Sequence, residues 1–432
     1  MELAATITLI ALMFILLGSG VWIGLSLIGV AWLGMELFTA RPVGDAMAVT
    51  IWGASSSWTL TALPLFIWMG EILFRTRLSE DMFKGLAPWL EALPGRLLHT
   101  NVIGCSIFAA VSGSSAATCI TIGKMTLPEL KKRGYPEGIS IGTLAGAGTL
   151  GLLIPPSIIM IVYGVTANVS IAKLFIAGVL PGLLLGALFM GYIIVWALLN
   201  PGKIPPASIK LTFMQKIRES RSLIPVVSLI ILVLGSIYTG IATATEAAAI
   251  GVVGSLAISA VQGSLNKKSF LESLMSATRL YCMIALILAG AAFLTLSMGY
   301  MGLPRQLADW ISGMNLSPVA LIFSLMIFYI ILGCFLDGIS MVVLTMAVIL
   351  PTVEAAGFDL IWFGIFLVMV VEMAQITPPV GFNLFVLQGT TGKQITWLAA
   401  RAFPMFLLIL LALGLIYVFP GIITWLPTKM AG

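Results

Sequence analysis

Charge is what this sequence has least of. Only 9% of its 432 residues are Asp, Glu, Lys or Arg, against 60% apolar, and mean hydropathy is +1.12. A soluble domain carries roughly a quarter charged residues, so this chain has too few to cover a water-facing surface of its size. It is an integral membrane protein. Disorder, nucleic-acid binding and secretion are excluded together. The net charge of +5, from 22 basic against 17 acidic residues, reports topology in such a chain and not affinity for polyanions. Histidine is nearly absent: the single His99 excludes histidine-rich metal catalysis and argues against a histidine general base. The four cysteines, Cys105, Cys119, Cys282 and Cys334, lie in apolar runs without paired spacing and read as free, buried thiols. There is no Walker A motif, and no nucleophile–base pair falls on neighbouring helices. The chain is expected to move a substrate, not to transform one, and to need no organic cofactor.

Long apolar runs are what it has instead. A membrane helix needs about 20 residues free of charge, and eleven such stretches run from 3–35 to 402–428. The first is too long for one span, and Gly18-Ser19-Gly20 divides it. The N-terminus lacks a basic flank and continues into further spans, which is not the pattern of a signal peptide. Basic clusters stand at Arg75, Arg77 and Lys84, at Lys131-Lys132-Arg133, from Lys203 to Arg221, and at Lys267-Lys268. All fall on one side only if the runs near 98–131 and 316–354 enter and leave by the same face. Of the 22 basic residues, 18 are then inside, and only Arg41, Lys173, Arg305 and Lys429 are outside, as the positive-inside rule requires. This topology predicts ten full spans, two re-entrant hairpins and both termini outside.

The sequence also repeats itself. Pro128, Gly134, Tyr135, Pro155 and Pro156 return 223 residues later as Pro351, Gly357, Phe358, Pro378 and Pro379. The expected organisation is a first repeat over 1–199, with an arm near 42–58, a hairpin at 98–131 and a broken helix at 137–167. A basic cytoplasmic linker covers 200–222. The second repeat covers 223–432, with an arm near 264–278, a hairpin at 316–354 and a broken helix at 359–390. Five crossings per repeat make the two inverted, the architecture of secondary transporters.

The polar motifs cluster at the hairpin turns and the breaks. Ser112, Gly113, Ser114 and Ser115 sit halfway along the first hairpin. A turn at membrane depth leaves backbone groups without partners, and its oxygens can coordinate a cation; close packing of small residues is the alternative. Gly146, Gly148 and Gly151 lead into Ile154-Pro155-Pro156-Ser157. Two successive prolines remove two amide donors, freeing carbonyls near 150–154 for a Na⁺ site. In the second half, Asp337 is the only acid from 310 to 353 and neighbours Gly338 and Ser340. It can ligate or order a cation, cap a helix, or relay a proton. Opposite stands the run from Gln375 through Thr377 and Gly381 to Asn383. Glu372 can sense protons or pair with a helix dipole. Glu246 follows Thr243 and Thr245, either of which can cap its helix. Glu71 and Arg75 form an i,i+4 pair, and Lys124 is expected to snorkel towards the cytoplasm.

At these residues the sequence resembles the large membrane subunit of tripartite ATP-independent periplasmic (TRAP) transporters. The matching strings are SGSSAAT at 112–118, LLIPPSIIMIVYG at 152–164, TATEAAA at 243–249, FLDGISMVVLTMAVILPT at 335–352 and ITPPVGFNLFV at 376–386. The resemblance implies an all-α polytopic fold like that of divalent-anion/sodium symporters. Its elevator would consist of hairpins, broken helices and the first and third spans moving against a scaffold. It further implies a small four-span membrane subunit on a separate polypeptide, a soluble periplasmic substrate-binding protein, the cytoplasmic membrane of a bacterium or archaeon, and sodium-driven uptake of an organic acid. A stand-alone divalent-anion symporter or a channel with re-entrant loops are the alternatives. The first Na⁺ site would use Ser112, Gly113, Ser114, Ser115, Gly151 and Pro155. The second would use Asp337, Gly338, Ser340, Gln375, Thr377 and Gly381. Substrate would meet Ser115, Ser157, Thr377 and Asn383. Gln375 places a polar group where the family pattern leads one to expect an apolar one.

Overall fold

A computed structural model describes residues 2–430 except 77, 207–210, 304–305, 307–312, 314–316, 335 and 380. Arg77 and Arg305 of the charge pattern, Phe335 of the second hairpin and Val380 of the second break therefore lie outside the described residues. Those described form an all-helical chain without strands. The first half contains α1 (Glu2–Gly18), α2 (Ile23–Phe38), α3 (Val43–Ser55), α4 (Ala62–Phe74) and α5 (Leu78–Leu90). It continues with α6 (His99–Ser112), α7 (Ser115–Lys132), α8 (Glu137–Leu153), α9 (Ile158–Thr166) and α10 (Ile171–Leu199). A short helix, α11 (Phe213–Ser220), lies in the joining segment. The second half contains α12 (Ile224–Tyr238), α13 (Ala244–Val261), α14 (Lys267–Tyr300), α15 (Pro318–Gly333) and α16 (Gly338–Ala355). It ends with α17 (Leu360–Gln375), α18 (Phe382–Thr391), α19 (Ile395–Val418) and α20 (Gly421–Met430).

The 223-residue offset is carried by backbone detail. Helices α7 and α16 are both 18 residues long and start at that offset, behind the equivalent N-caps Ser114 and Asp337. Both close on a left-handed glycine, Gly134 (φ +83°) and Gly357 (φ +79°). The next amide turns back in each case, Tyr135 to the Leu130 carbonyl (3.0 Å) and Phe358 to that of Val353 (3.2 Å). A helix end of this kind needs φ > 0, which glycine adopts without steric cost. Both Pro-Pro bonds, Pro155-Pro156 and Pro378-Pro379, are cis.

The charge-free stretches overstate helix length. Among the described residues, six helical runs are long and apolar enough to cross a bilayer alone, including α10, α13, α14, α16 and α19. The run from Val43 to Phe74 is a pair bent by 51°, α8 and α9 are a pair bent by 40°, and α2, α15 and α17 are shorter apolar helices. Charge-free residues continue through turns, so counting them does not find the turns. The same error joined α19 to α20: the 402–428 stretch breaks at Phe419-Pro420, and α20 folds back onto α10 and α17. The arm near 264–278 is not a separate element, since it runs straight into the third span as α14. Helix α5 is an amphipathic element that the span pattern passes over. Cys282 is exposed on α14, unlike the other three cysteines, because an apolar run in a membrane helix has an outer face as well as an inner one.

Packing divides the helices into two groups. The third spans α4 and α14 lie against α2 and α13, whereas the last spans α10 and α19 lie against the broken helices. The third spans also touch the hairpins, α4 against α6 and α14 against α16. In the first group, α2 and α14 cross where a Cβ on Gly290 would stand 2.6 Å from the Gly24 carbonyl oxygen. Arg75 ties α4 to α14, pairing with Glu71 (2.5 Å) and donating to the Ser276 hydroxyl (3.0 Å). In the second group, Gly142 and Gly146 admit Arg401 and Met405 of α19 to backbone contact, as small residues four apart do in membranes. Helix α8 from 139 to 153 and α17 from 362 to 375 are buried along their whole length. They form the centre of the molecule, and the hairpins close on them.

Candidate functional site

The first hairpin turns over two residues. Gly113 ends α6 with φ +60°, and a Cβ there would come within 2.8 Å of the Pro156 carbonyl oxygen. Its own carbonyl accepts from the Ile158 amide (3.3 Å), so the tip is stitched to the break between α8 and α9. Behind it, oxygens crowd together. The Thr118 hydroxyl bonds the Ser112 hydroxyl (2.8 Å) and donates to the Ser114 carbonyl (2.7 Å). Gly151 of α8 faces this cluster: a Cβ on it would stand 2.5 Å from the Ser114 carbonyl and 2.8 Å from Thr118 Oγ1. Pro155 and Pro156 have no N–H, so the carbonyls of Gly151 and Leu152 lack their helical donors. Neutral hydroxyl and carbonyl oxygens thus converge where hairpin and break meet, a donor set that suits a hard cation. Thr118 and Thr149 belong to this region and were not singled out by sequence, although Thr118 stands one helical turn after Ser114.

The second hairpin meets its break in another way. Asp337 caps α16: Oδ2 accepts from the amides of Ile339 (3.1 Å) and Ser340 (3.2 Å), and Oδ1 from the Ser340 hydroxyl (2.5 Å). Capping, one of its three open roles, is the one its hydrogen bonds perform. A Cβ on Gly338 would press on Val371 (2.7 Å), Ile159 (2.8 Å) and Gln375 Nε2 (3.3 Å), so this tip touches both repeats. At the break, Gly381 (φ +46°) lies under the carbonyls of Thr377 and Gln375, which would be 2.8 and 3.2 Å from a Cβ. The Thr377 hydroxyl is used within its own turn, donating to Met373 (2.7 Å).

Two pairs of polar residues from opposite halves come together at the centre. The Ser115 hydroxyl donates to Gln375 Oε1 (3.4 Å), so the polar departure at 375 bridges the two tips. Glu372 lies beside the Thr149 hydroxyl and the Leu153 backbone, although neither carboxyl oxygen is within hydrogen-bond geometry of a partner. Thr149 and Glu372 are themselves 223 residues apart, and equivalent residues meet where a two-fold axis passes. Ser157 is buried and caps α9 through the Met160 amide (3.4 Å). Asn383 is fully buried, and neither atom of its amide has a partner; it makes no bond to the other candidate residues. Away from the centre, Thr243 caps α13 with Glu246 closing the capping box (2.8 Å), and Glu71 pairs with Arg75.

Two interrupted helices, each met by a hairpin and related by an internal repeat, define a polytopic secondary transporter. Residues 10–422 match the family described as tripartite ATP-independent periplasmic transporter, DctM component. The chain belongs to that family, as the large membrane subunit of a TRAP transporter, and is a transport protein, not an enzyme. It is 31% identical over 383 residues to the C4-dicarboxylate TRAP transporter large permease protein DctM of Pseudomonas aeruginosa, covering 88% of this chain and 89% of that one. It is 32% identical to the isethionate TRAP transporter permease protein DctMQ of Oleidesulfovibrio alaskensis, covering 95% of this chain and 64% of that longer protein. In fold it is similar to the crystal structure of the Alcanivorax borkumensis YdaH transporter, with TM-score 0.65, 14% identity, and 92% and 97% of the two chains covered. The family works with a small membrane subunit and a periplasmic binding protein.

Proposed function

We propose that this subunit imports a small organic acid, carrying a carboxylate or sulfonate, and that a sodium gradient drives the uptake. The observation that carries the reading is the convergence at Gly151: the Ser112, Ser114 and Thr118 oxygens face a helix end whose carbonyls have lost their donors. Na⁺ would bind there and, in the second half, among Asp337, the Gln375 and Thr377 carbonyls and Gly381. Ordering of the tips by Na⁺ would complete a substrate site near Ser115, Ser157, Thr377 and Asn383. The named substrates of the relatives include C4-dicarboxylate and isethionate, which supports an acid as cargo. The repeats would span 1–199 and 223–432, inverted about the 200–222 linker, with the basic clusters on the cytoplasmic side of an inner membrane and both termini periplasmic. The hairpins, broken helices and last spans would move as one body against α2, α4, α13 and α14. A separate small membrane subunit and a soluble binding protein would complete the importer. Proteoliposomes holding this chain with both companions provide the test. Uptake of labelled succinate or isethionate is expected under an inward Na⁺ gradient and absent under K⁺; equal uptake in both would remove sodium coupling.

A further inference from the structure

A cavity of about 400 Å³ opens between α7, the start of α8 and the end of α18, a size suited to a small ligand. Its wall includes Lys124, Lys131, Glu137, Ser140, Thr390 and Thr391. On α7, Thr121, Lys124, Pro128 and Lys131 follow one another at three- and four-residue steps and share a face. On α18, Asn383 and Leu387 are four apart, and Thr390 and Thr391 follow Leu387 by three and four. The buried ends of both stripes carry unsatisfied polar atoms, Thr121 Oγ1 and both amide atoms of Asn383. Unpartnered buried polar groups are costly, and here they stand at the start of two facing stripes that lead to the cavity. From Ser115 at the tip to Lys124, α7 rises about 14 Å.

The cavity's charge is cationic. Glu137 is paired with Lys393 (2.9 Å), whereas Lys124 and Lys131 form no ion pair among the described residues. Burial pushes the Tyr135 phenol up, so it adds no negative charge at neutral pH. The second repeat lacks this feature: the counterparts of Thr121, Lys124 and Lys131 are Leu344, Ala347 and Glu354. The basic stripe is therefore confined to the hairpin whose base carries Lys131-Lys132-Arg133.

We infer that this cavity is a cytoplasmic anion vestibule, in which Lys124 binds the carboxylate or sulfonate of the cargo as it leaves the tips. Lys131 receives it next, nearer the water. The inference rests on the transport reading above and adds to it the group that compensates the anion's charge. A lysine that merely snorkels would share the position and bind nothing.

The purified subunit carrying Cys282→Ser, with Thr391→Cys as reporter in the cavity wall, separates the two. The rate of modification by a neutral maleimide is followed with succinate, isethionate or glycerol added, at constant sodium and ionic strength. Both anions should slow the reaction and glycerol should not. Lys124→Gln should raise the half-protecting concentration about tenfold, equivalent to about 1.4 kcal/mol; Lys124→Arg should restore protection, and Lys216→Gln, outside the cavity, should leave it unchanged. Absence of protection, or equal protection in Lys124→Gln, overturns the vestibule. Sodium-specific thermal stabilisation without anion protection would leave the transport reading standing and remove only this inference. Repeated in KCl, protection that still needs Lys124 would support the vestibule as a site independent of sodium, leaving sodium coupling to the uptake test.

Discussion

The two repeats build one backbone device with different electrostatics. Each sets a hairpin tip, behind an N-cap at the same offset, against a helix broken by a cis Pro-Pro pair. The first is capped by Ser114 and surrounded by neutral hydroxyls; the second is capped by the carboxylate of Asp337. Asp337 is half-buried, and three hydrogen bonds hold its carboxylate. The first tip achieves close approach through Gly151, with no charge at all. The two repeats thus share glycines, prolines and caps at fixed spacing, while the chemistry at each tip differs. The Ser115–Gln375 contact is where the two meet.

Substitutions can break or sharpen this contrast. Gly151→Val should have the largest effect. Its side chain would occupy the space of the Ser114 carbonyl and the Thr118 hydroxyl, part the tip from the break, and abolish sodium-driven uptake; retained uptake would show that close approach is not needed. Asp337→Asn separates the roles of cap and charge. Asn also caps well, so thermal stability should change by less than about 1 kcal/mol, while the sodium concentration for half-maximal stabilisation should rise about tenfold, a change of about 1.4 kcal/mol. Asp337→Ala should lose the cap as well. Glu372→Gln should be better tolerated than either. It keeps the shape of a buried side chain that has no well-formed hydrogen bond while removing an ionisable group, so calorimetry at neutral pH should find equal or higher stability. A fall of about 3 kcal/mol, the upper range for a lost charged hydrogen bond, would show that Thr149 and Leu153 hold the carboxylate. Ser157→Ala should cost about 1 kcal/mol of stability from one lost cap, and chemical denaturation would register it.

Much of this was legible in the sequence because its signals are local. A charge-free run marks a membrane segment, Pro-Pro marks a lost pair of donors, and an offset repeated at Pro128/Pro351 and Gly134/Gly357 marks a duplicated backbone. Helix ends accordingly stand beside those residues, α6 at Ser112 and α8 at Leu153. What escaped depends on neighbours distant in the chain. Which helices the third span α14 packs on is decided by contacts such as Gly24 with Gly290, hundreds of residues apart. The proximity of Thr149 to Glu372 and the isolation of Asn383 are likewise properties of packing. Helix α5, amphipathic and short, carries neither a long apolar run nor a Pro-Pro signal. The charge count also passed through Phe419-Pro420, since a turn at a membrane face needs no charged residue.

The most direct test of the central claim, that neutral and charged tips each hold sodium, is thermal unfolding of the detergent-purified protein in NaCl against KCl at constant ionic strength. A ligand confined to the folded state stabilises it by about 2.7 kcal/mol at a hundredfold excess over Kd. The predicted result is a saturable, sodium-specific rise in Tm, reduced in part by Ser115→Ala and in part by Asp337→Asn, and lost in the double variant. Coincident NaCl and KCl curves for the unmodified protein would contradict it.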